Sequence, residues 1–284
     1  MECESMNLDL VRTFVRTVQA GSLKEASLKT GMDVSNISRH IKSLESILQT
    51  KLLQRKHGVV ALTEDGKIIY DEYEKAYNLL FLAEKKLLQK HSVNSGKLSI
   101  GCFGNLEKTY LLDYIRRFNS RYPNVAIKVI SGSSKEMYKK LEQYSIDLVL
   151  DYADIIEKDS EINTKKLFDA KYCLVYNPKF FPNNIDLANV PIIVSSSKTE
   201  RNVLNKYAMD NNINFNIKYE ISNSDHIIEY INKGLGVGFV LEKAVEDTNL
   251  EKIELPDIYT SEVVVSYVKT SLSESGKTFL EILK

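Results

Sequence analysis

The chain has 284 residues, with 38 Lys and Arg against 38 Asp and Glu, a formal net charge of +0 and a pI of about 6.9. Apolar content of 43% is ample for cores, and 27% charged residues is ordinary for a soluble protein. No apolar run is long enough to span a bilayer and no signal-peptide pattern opens the chain, so a cytoplasmic protein with reduced cysteines is expected.

Residues Met1 to Ser5 read as a disordered tail. From Leu8 three apolar helical patterns follow in quick succession: Leu10, Phe14 and Val18; Leu23 and Ala26; then Ile37, Ile41, Leu44 and Leu48. Breaks at Gly21-Ser22 and Gly31-Met32-Asp33 separate them. Helices this short cannot each bury a face alone, so they must pack on one another as a helix-turn-helix unit. On a wheel at roughly 100° per residue, Ile41, Leu44 and Leu48 fall within about 40° of Ile37, which makes one buried stripe. Ser35, Arg39, Lys42 and Ser46 gather on the opposite face, with Ser38 at its edge. Asp33 is placed to cap the helix. Small hydroxyls beside Arg and Lys suit a DNA major groove, because they allow close approach and guanidinium can take two acceptors on guanine. The same face could equally be the solvated side of an ordinary amphipathic helix.

Charge is distributed unevenly. Residues 24–56 hold seven Lys and Arg against three acids, a local excess of +4 that the whole-chain balance hides. Gln54 to Leu62 reads as a hairpin wing with Arg55, Lys56 and His57 at its tip, placed for phosphate contact or else a solvated loop. Thr63 is expected to cap a long helix that starts with Glu64 and Asp65 and carries Lys85, Lys86 and Lys90 near its end. Its apolar positions, Ile69, Tyr73, Ala76, Leu80, Ala83 and Leu87, alternate spacings of four and three, the heptad seam of paired helices. Packing of that helix on its own head is the alternative.

A short polar stretch, His91 to Gly96, marks a boundary. Beyond it strand-like and helical runs alternate: Leu98 to Cys102, Leu111 to Tyr122, Val125 to Ile130, Ser134 to Tyr144 and Asp147 to Tyr152. After a polar interval come Tyr172 to Tyr176, Pro191 to Ser195, Arg201 to Asn211, Ile217 to Ile221, Asp225 to Asn232, Val237 to Leu241 and Val263 to Val268. Two βα series divided near Asp154–Thr164 predict two α/β lobes with parallel sheets. Gly234-Leu235-Gly236-Val237-Gly238 follows a helical run and precedes a strand, the reverse of a dinucleotide-binding loop, and reads as a helix end and tight turn. His40, His57, His91 and His226 have no metal-ligand spacing. Cys3, Cys102 and Cys173 form no paired motif, and Asp147, Asp151 and Asp154 no acid–base pair with a positioned partner. No enzyme, metal or cofactor is expected.

The residues of the head resemble those of the LysR-type transcriptional regulators. Asn7 to Phe14, Gly21 to Ser27, Ser35 to Glu45, Leu52-Leu53-Gln54-Arg55 and Leu62-Thr63-Glu64-Asp65-Gly66 match successive family motifs in order and spacing. Thr30 and Ser27 depart from the usual Leu and Ala. More weakly, Gly96 to Gly101, Phe118 to Val125, Ile146 to Leu150 and Gly234 to Gly238 resemble the family's effector domain. The resemblance implies a winged helix-turn-helix at 6–63, a linker and dimerisation helix at 64–91, and a two-lobed domain like a type 2 periplasmic binding protein at 92–284. Lobe I would take about 96–163 plus a C-terminal helix at 272–284, and lobe II about 167–268. It implies DNA contacts from Val34, Ser35, Ser38, Arg39, Lys42, Arg55 and Lys56. The implied partners are double-stranded DNA, a second copy in a homodimer or tetramer, RNA polymerase and a small-molecule effector. Helix starts facing the cleft are natural anion sites, or simply N-caps; the candidates are Asn105, Ser133, Ser134, Ser195, Ser196, Ser197 and Thr199, with Ser222 and Ser224 a weaker group. Phe103 is expected to make the pocket partly apolar or partly filled.

Overall fold

Capping explains where the first helices begin. In the computed structural model, α1 (Leu8–Ala20) starts where Asn7 Oδ1 accepts the Asp9 N–H at 2.8 Å, and α2 (Leu23–Thr30) where Ser22 Oγ accepts the Glu25 N–H at 3.1 Å. Asp33 stands before α3 (Val34–Leu48) as expected, but its side chain makes no capping hydrogen bond. The structure describes residues 7–56, 59–89, 96–155, 161–181 and 185–283. The expected tail at 1–5, His57 and Gly58 of the wing, Lys90 and the stretch 91–95 lie outside them, as do the side chains of Arg55, Lys56, Lys85, Lys86 and Leu87.

The described residues divide into two compact units, one ending at Leu88 and one beginning at Gln89. In the first, Ile37, Ile41 and Leu44 are buried as the wheel requires; Ile37 and Ile41 pack with Ala26, and Leu44 with Leu10, Phe14 and Leu52. Thr30 donates to the Ala26 carbonyl at 2.7 Å, so the polar departure in α2 is satisfied within its own turn. The wing strands β1 (Leu53–Lys56) and β2 (Val59–Leu62) pair antiparallel, and the Val60 N–H reaches Gly21 O at the end of α1 at 2.9 Å.

Thr63 opens α4 (Glu64–Gln89): its Oγ1 accepts the Gly66 N–H at 2.9 Å while its own N–H donates to Leu52 O at 3.0 Å. Gly66 has a packing reason. A Cβ there would lie 2.1 Å from the Leu52 carbonyl oxygen, so only a residue without a side chain lets the helix approach the wing.

The heptad seam of α4 splits. Ile69 and Tyr73 are half-buried against the head's own core, with Tyr73 edge-on to Phe14 at 6.4 Å and Tyr70 at 6.2 Å. They thus pack with the head of their own chain, the alternative that the period left open. Ala76, Leu80 and Ala83 are the positions left along the seam, and Leu80 is 47% exposed. Aromatic residues at a and d positions fill a hole on the same chain as readily as one on a partner, so the period could not tell the two apart.

The second unit is built on a mixed sheet. One end carries β3 (Gly96–Phe103), β4 (Val125–Gly132) and β5 (Leu148–Tyr152), with β3 parallel to both neighbours. The other carries β7 (Pro191–Ser195), β8 (Asn216–Ile221) and β9 (Val237–Leu241), with β7 parallel to both neighbours. Two longer strands join these ends. β6 (Ile162–Tyr176) pairs antiparallel with β11 (Thr260–Val268) along its first ten residues, then with β9 and β10 (Glu251–Glu254). β11 also pairs with β5 through Val263–Ser266. The sheets are thus not purely parallel, the polar interval 162–171 is strand, and β11 belongs to both lobes instead of lobe II alone. Polar residues fit there because backbone pairing with β11, not an apolar run, defines the strand.

Helices cover the faces: a π-turn at Glu107–Leu111 leading into α5 (Leu112–Arg121), α6 (Ser134–Glu142), α7 (Lys198–Asp210), α8 (Ile227–Asn232) and α9 (Glu274–Ile282). The C-terminal α9 packs with lobe I, where Phe279 meets Phe118 at 5.4 Å. Gly234 has φ +72° and closes α8, as the reading of the glycine-rich stretch required.

Candidate DNA-reading face and ligand cleft

On α3 the stripe that buries Ile37, Ile41 and Leu44 turns Val34, Ser35, Arg39, Lys42 and Ser46 outward; all five are accessible and Ser38 is half-buried. Arg39 Nη2 donates to Asn36 Oδ1 at 2.8 Å, which holds the guanidinium over the start of the helix. His40 anchors the same helix from behind. Thr13 Oγ1 lies 2.9 Å from His40 Nδ1 and 2.7 Å from Asp9 O, joining α3 to α1. Asn36 and His40 are positioning residues that the sequence reading passed over. The backbone of Arg55 and Lys56 runs in β1.

Glu45 fastens the helix to the wing. Its carboxylate accepts from Leu52 N at 3.0 Å and Leu53 N at 3.3 Å, and pairs with Lys51 at 2.7 Å. Burial pushes its pKa up, but the Lys51 and backbone hydrogen bonds outweigh that and leave it below the ordinary carboxylate value.

The second unit holds a 450 Å³ cavity between its lobes, lined by Asn105, Lys108 and Asp113 from one side and by Glu200, Asp225 and Lys243, among others, from the other. Of the expected effector residues only Asn105 and Ser224 line it. Ser133 caps α6 from the surface, accepting the Glu136 N–H at 3.3 Å. Ser134 is buried, and its Oγ makes no hydrogen bond. Ser195 Oγ accepts the Ser197 N–H at 3.1 Å, and Thr199 Oγ1 donates to both oxygens of Asp154 at 2.9 and 3.1 Å. Ser196 and Ser222 are exposed, and the buried Ser197 Oγ has no partner.

The protein's own carboxylates answer two of these donors, Asn105 and Thr199. Ser197-Lys198-Thr199-Glu200 has the spacing of a capping box, yet Ser197 makes no side-chain cap and Glu200 reaches across the cleft. Asn105 Nδ2 donates to Glu200 Oε1 at 2.6 Å, and Tyr152 Oη donates to Asn105 Oδ1 at 3.1 Å. With Thr199–Asp154, these contacts tie lobe I to lobe II. Burial pushes Glu200 up to about 7, helped by the charge of Asp225 and opposed by the nearby Ser195 hydroxyl and by the Asn105 hydrogen bond. Asp151, wholly buried at the end of β5, is raised by burial to about 6, opposed by the neighbouring Ser134 hydroxyl and by the hydrogen bond from the Tyr152 N–H. Phe103 meets Tyr152 edge-on at 5.9 Å.

Other chemistry finds little support. Burial raises the Cys102 thiol well above its usual value and Cys173 to about 12, so neither is a ready thiolate; Cys3 lies outside the described residues. Among the described residues no cluster of three or more His, Cys, Asp or Glu could hold a metal, and no helix is long and apolar enough to cross a membrane.

Comparison with known proteins gives consistent matches. A family model described as bacterial regulatory helix-turn-helix protein, lysR family, matches residues 8–67, and one for the LysR substrate binding domain matches residues 91–284. The HTH-type transcriptional regulator CrgA of Neisseria meningitidis is 27% identical over 174 residues, which are 61% of this chain and 56% of CrgA. The chain thus spans little more than half the length of that curated relative. Among solved structures, a full-length OxyR variant from Pseudomonas aeruginosa is similar with a TM-score of 0.75 at 16% identity, covering 99% of this chain and 94% of that one. Full-length CbnR complexed with its target DNA gives a TM-score of 0.58 at 16% identity, covering 98% of each chain. With the two models together matching most of the sequence, the chain belongs to the LysR family of bacterial regulatory helix-turn-helix proteins.

Proposed function

We propose that the protein is a transcription regulator that binds duplex DNA sequence-specifically through α3 and answers to a small molecule in the interlobe cleft. The observation that carries this reading is the outward face of Ser35, Arg39 and Lys42 on a helix whose opposite stripe is buried. Arg39 reads base edges from the groove, and Lys42, with Arg55 and Lys56 of the wing, contacts phosphates. The modest local charge calls for two heads on one site, hence a homodimer joined through Ala76, Leu80 and Ala83, paired further into a tetramer. Work on chromosomal DNA calls for a cytoplasmic protein; RNA polymerase as onward partner rests on the family resemblance. No catalytic step belongs to this reading. The effector acts by binding one lobe arrangement better than another, which alters head spacing on the DNA.

Genomic footprinting with purified protein tests it. Wild type should protect discrete sites, and Arg39→Ala should lose them while keeping its circular dichroism and melting temperature. Normal operator affinity in Arg39→Ala would refute the role given to Arg39.

A further inference from the structure

We propose that the ligand of this cleft is cationic, an amine or guanidinium compound whose positive group sits between Glu200 and Asp225. The proposal rests on the effector-cleft reading above and adds to it the charge of the ligand. Glu200 is 2% exposed and forms part of the wall of the 450 Å³ cavity. Its Oε1 is held by Asn105, and its Oε2 is buried with no hydrogen-bond partner. A buried carboxylate oxygen left unmatched is costly, and a donor supplied from the cavity would remove the cost.

Asp225 supplies a second carboxylate on the same cavity, half-buried just before α8. Among the described residues neither Glu200 nor Asp225 makes an ion pair. The nearby lysine is already engaged: Lys243 Nζ lies 2.5 Å from Asp113 and 5.0 Å above the Tyr110 ring. Glu246 and Asp247 add acid to the rim, against Lys108 alone. An anion entering here would meet Glu200, Asp225, Glu246 and Asp247 on the wall. A cation would be flanked by carboxylates, and Leu112 and Ile228 offer apolar wall for an alkyl stem. The start of α7 does not argue the other way, because the Glu200 carboxyl in its first turn already occupies that place. The volume admits a ligand of diamine or amino-acid size.

The test is calorimetric titration of the full-length protein with putrescine and L-arginine, against glutarate and 1,4-butanediol as anionic and neutral probes of similar length. The expected result is binding of at least one of the two cations, at least tenfold tighter than either comparison probe. Glu200→Gln, which keeps an oxygen for Asn105, should weaken that binding tenfold or more with its far-UV circular dichroism unchanged. Asp225→Asn, at a less buried position, should weaken it too. Failure of both cations to bind wild type, tighter binding of glutarate, or unchanged cation binding in both variants would overturn the proposal. A glutarate-dependent shift of an intact operator footprint would remove the charge assignment and leave the regulator reading standing; absence of any operator footprint would remove that reading instead.

Discussion

Glu45 and Leu52 are joined by a 3.0 Å hydrogen bond in which the Leu52 N–H donates to a buried carboxylate, so one side chain of α3 fixes where the wing begins. Removing it leaves two inward N–H groups unmatched. Glu45→Ala should cost about 1.5–3 kcal/mol in urea unfolding of the head. Because the folded pKa lies below the unfolded value, this stability is present at neutral pH and is lost as pH falls through the folded pKa. The gap between wild type and Glu45→Gln should therefore narrow in acid; a gap constant with pH would contradict the role of the charge.

Gly66 and Leu52 make the next contact along the same edge. Gly66→Ala should destabilise by about 1–3 kcal/mol, since the clash is with backbone and cannot be relieved by a rotamer change. An unchanged melting temperature would show that α4 can withdraw without loss.

Phosphate contact has its own signature. Binding should weaken steeply with salt, and Lys42→Ala should lower the slope of log K against log salt by about 1, with affinity reduced similarly on all sequences. A salt-independent shift in a gel assay would argue against the whole electrostatic account.

Self-association should depend on the exposed half of α4. Leu80→Asp, where the side chain is 47% exposed, should leave the head folded and move the protein toward monomer in sedimentation at micromolar concentration. A dimer as tight as wild type would place the interface elsewhere.

Glu200 gives a stability effect of opposite sign to Glu45. Its pKa rises from 4.5 to about 7 on folding, so its stabilising share is full below about pH 4.5 and is lost as pH climbs to about 7. Glu200→Gln should thus melt higher than wild type at pH 8 and show no such advantage at pH 4.5. Equal melting curves at both pH values would mean that the carboxylate is solvated after all.

The head was legible because one period decided it: Ile37, Ile41 and Leu44 leave few other faces for Arg39. Of the two caps expected, Thr63 holds and Asp33 makes no capping hydrogen bond. Asn163-Thr164-Lys165-Lys166 was not, since its strand is defined by pairing with Ser266 and its neighbours about a hundred residues away. Ile69 and Tyr73 carried a true period but an ambiguous partner. In the cleft, Asn105 was found from its place after a strand. Glu200 was hidden inside a capping-box pattern, because the choice between its own helix and the opposite lobe is tertiary.

The paired run of β6 and β11 has a mechanical consequence. Both lobes hang on the same two-stranded ribbon, bonded rung by rung from Thr260↔Lys171 to Val268↔Ile162, with a register shift between Val263 and Val264. Sliding one strand past the other would break every rung at once, and Val263–Ser266 are held on their other edge by β5 as well. Any rearrangement of the two halves that keeps these rungs must therefore twist the paired strands rather than shift their register.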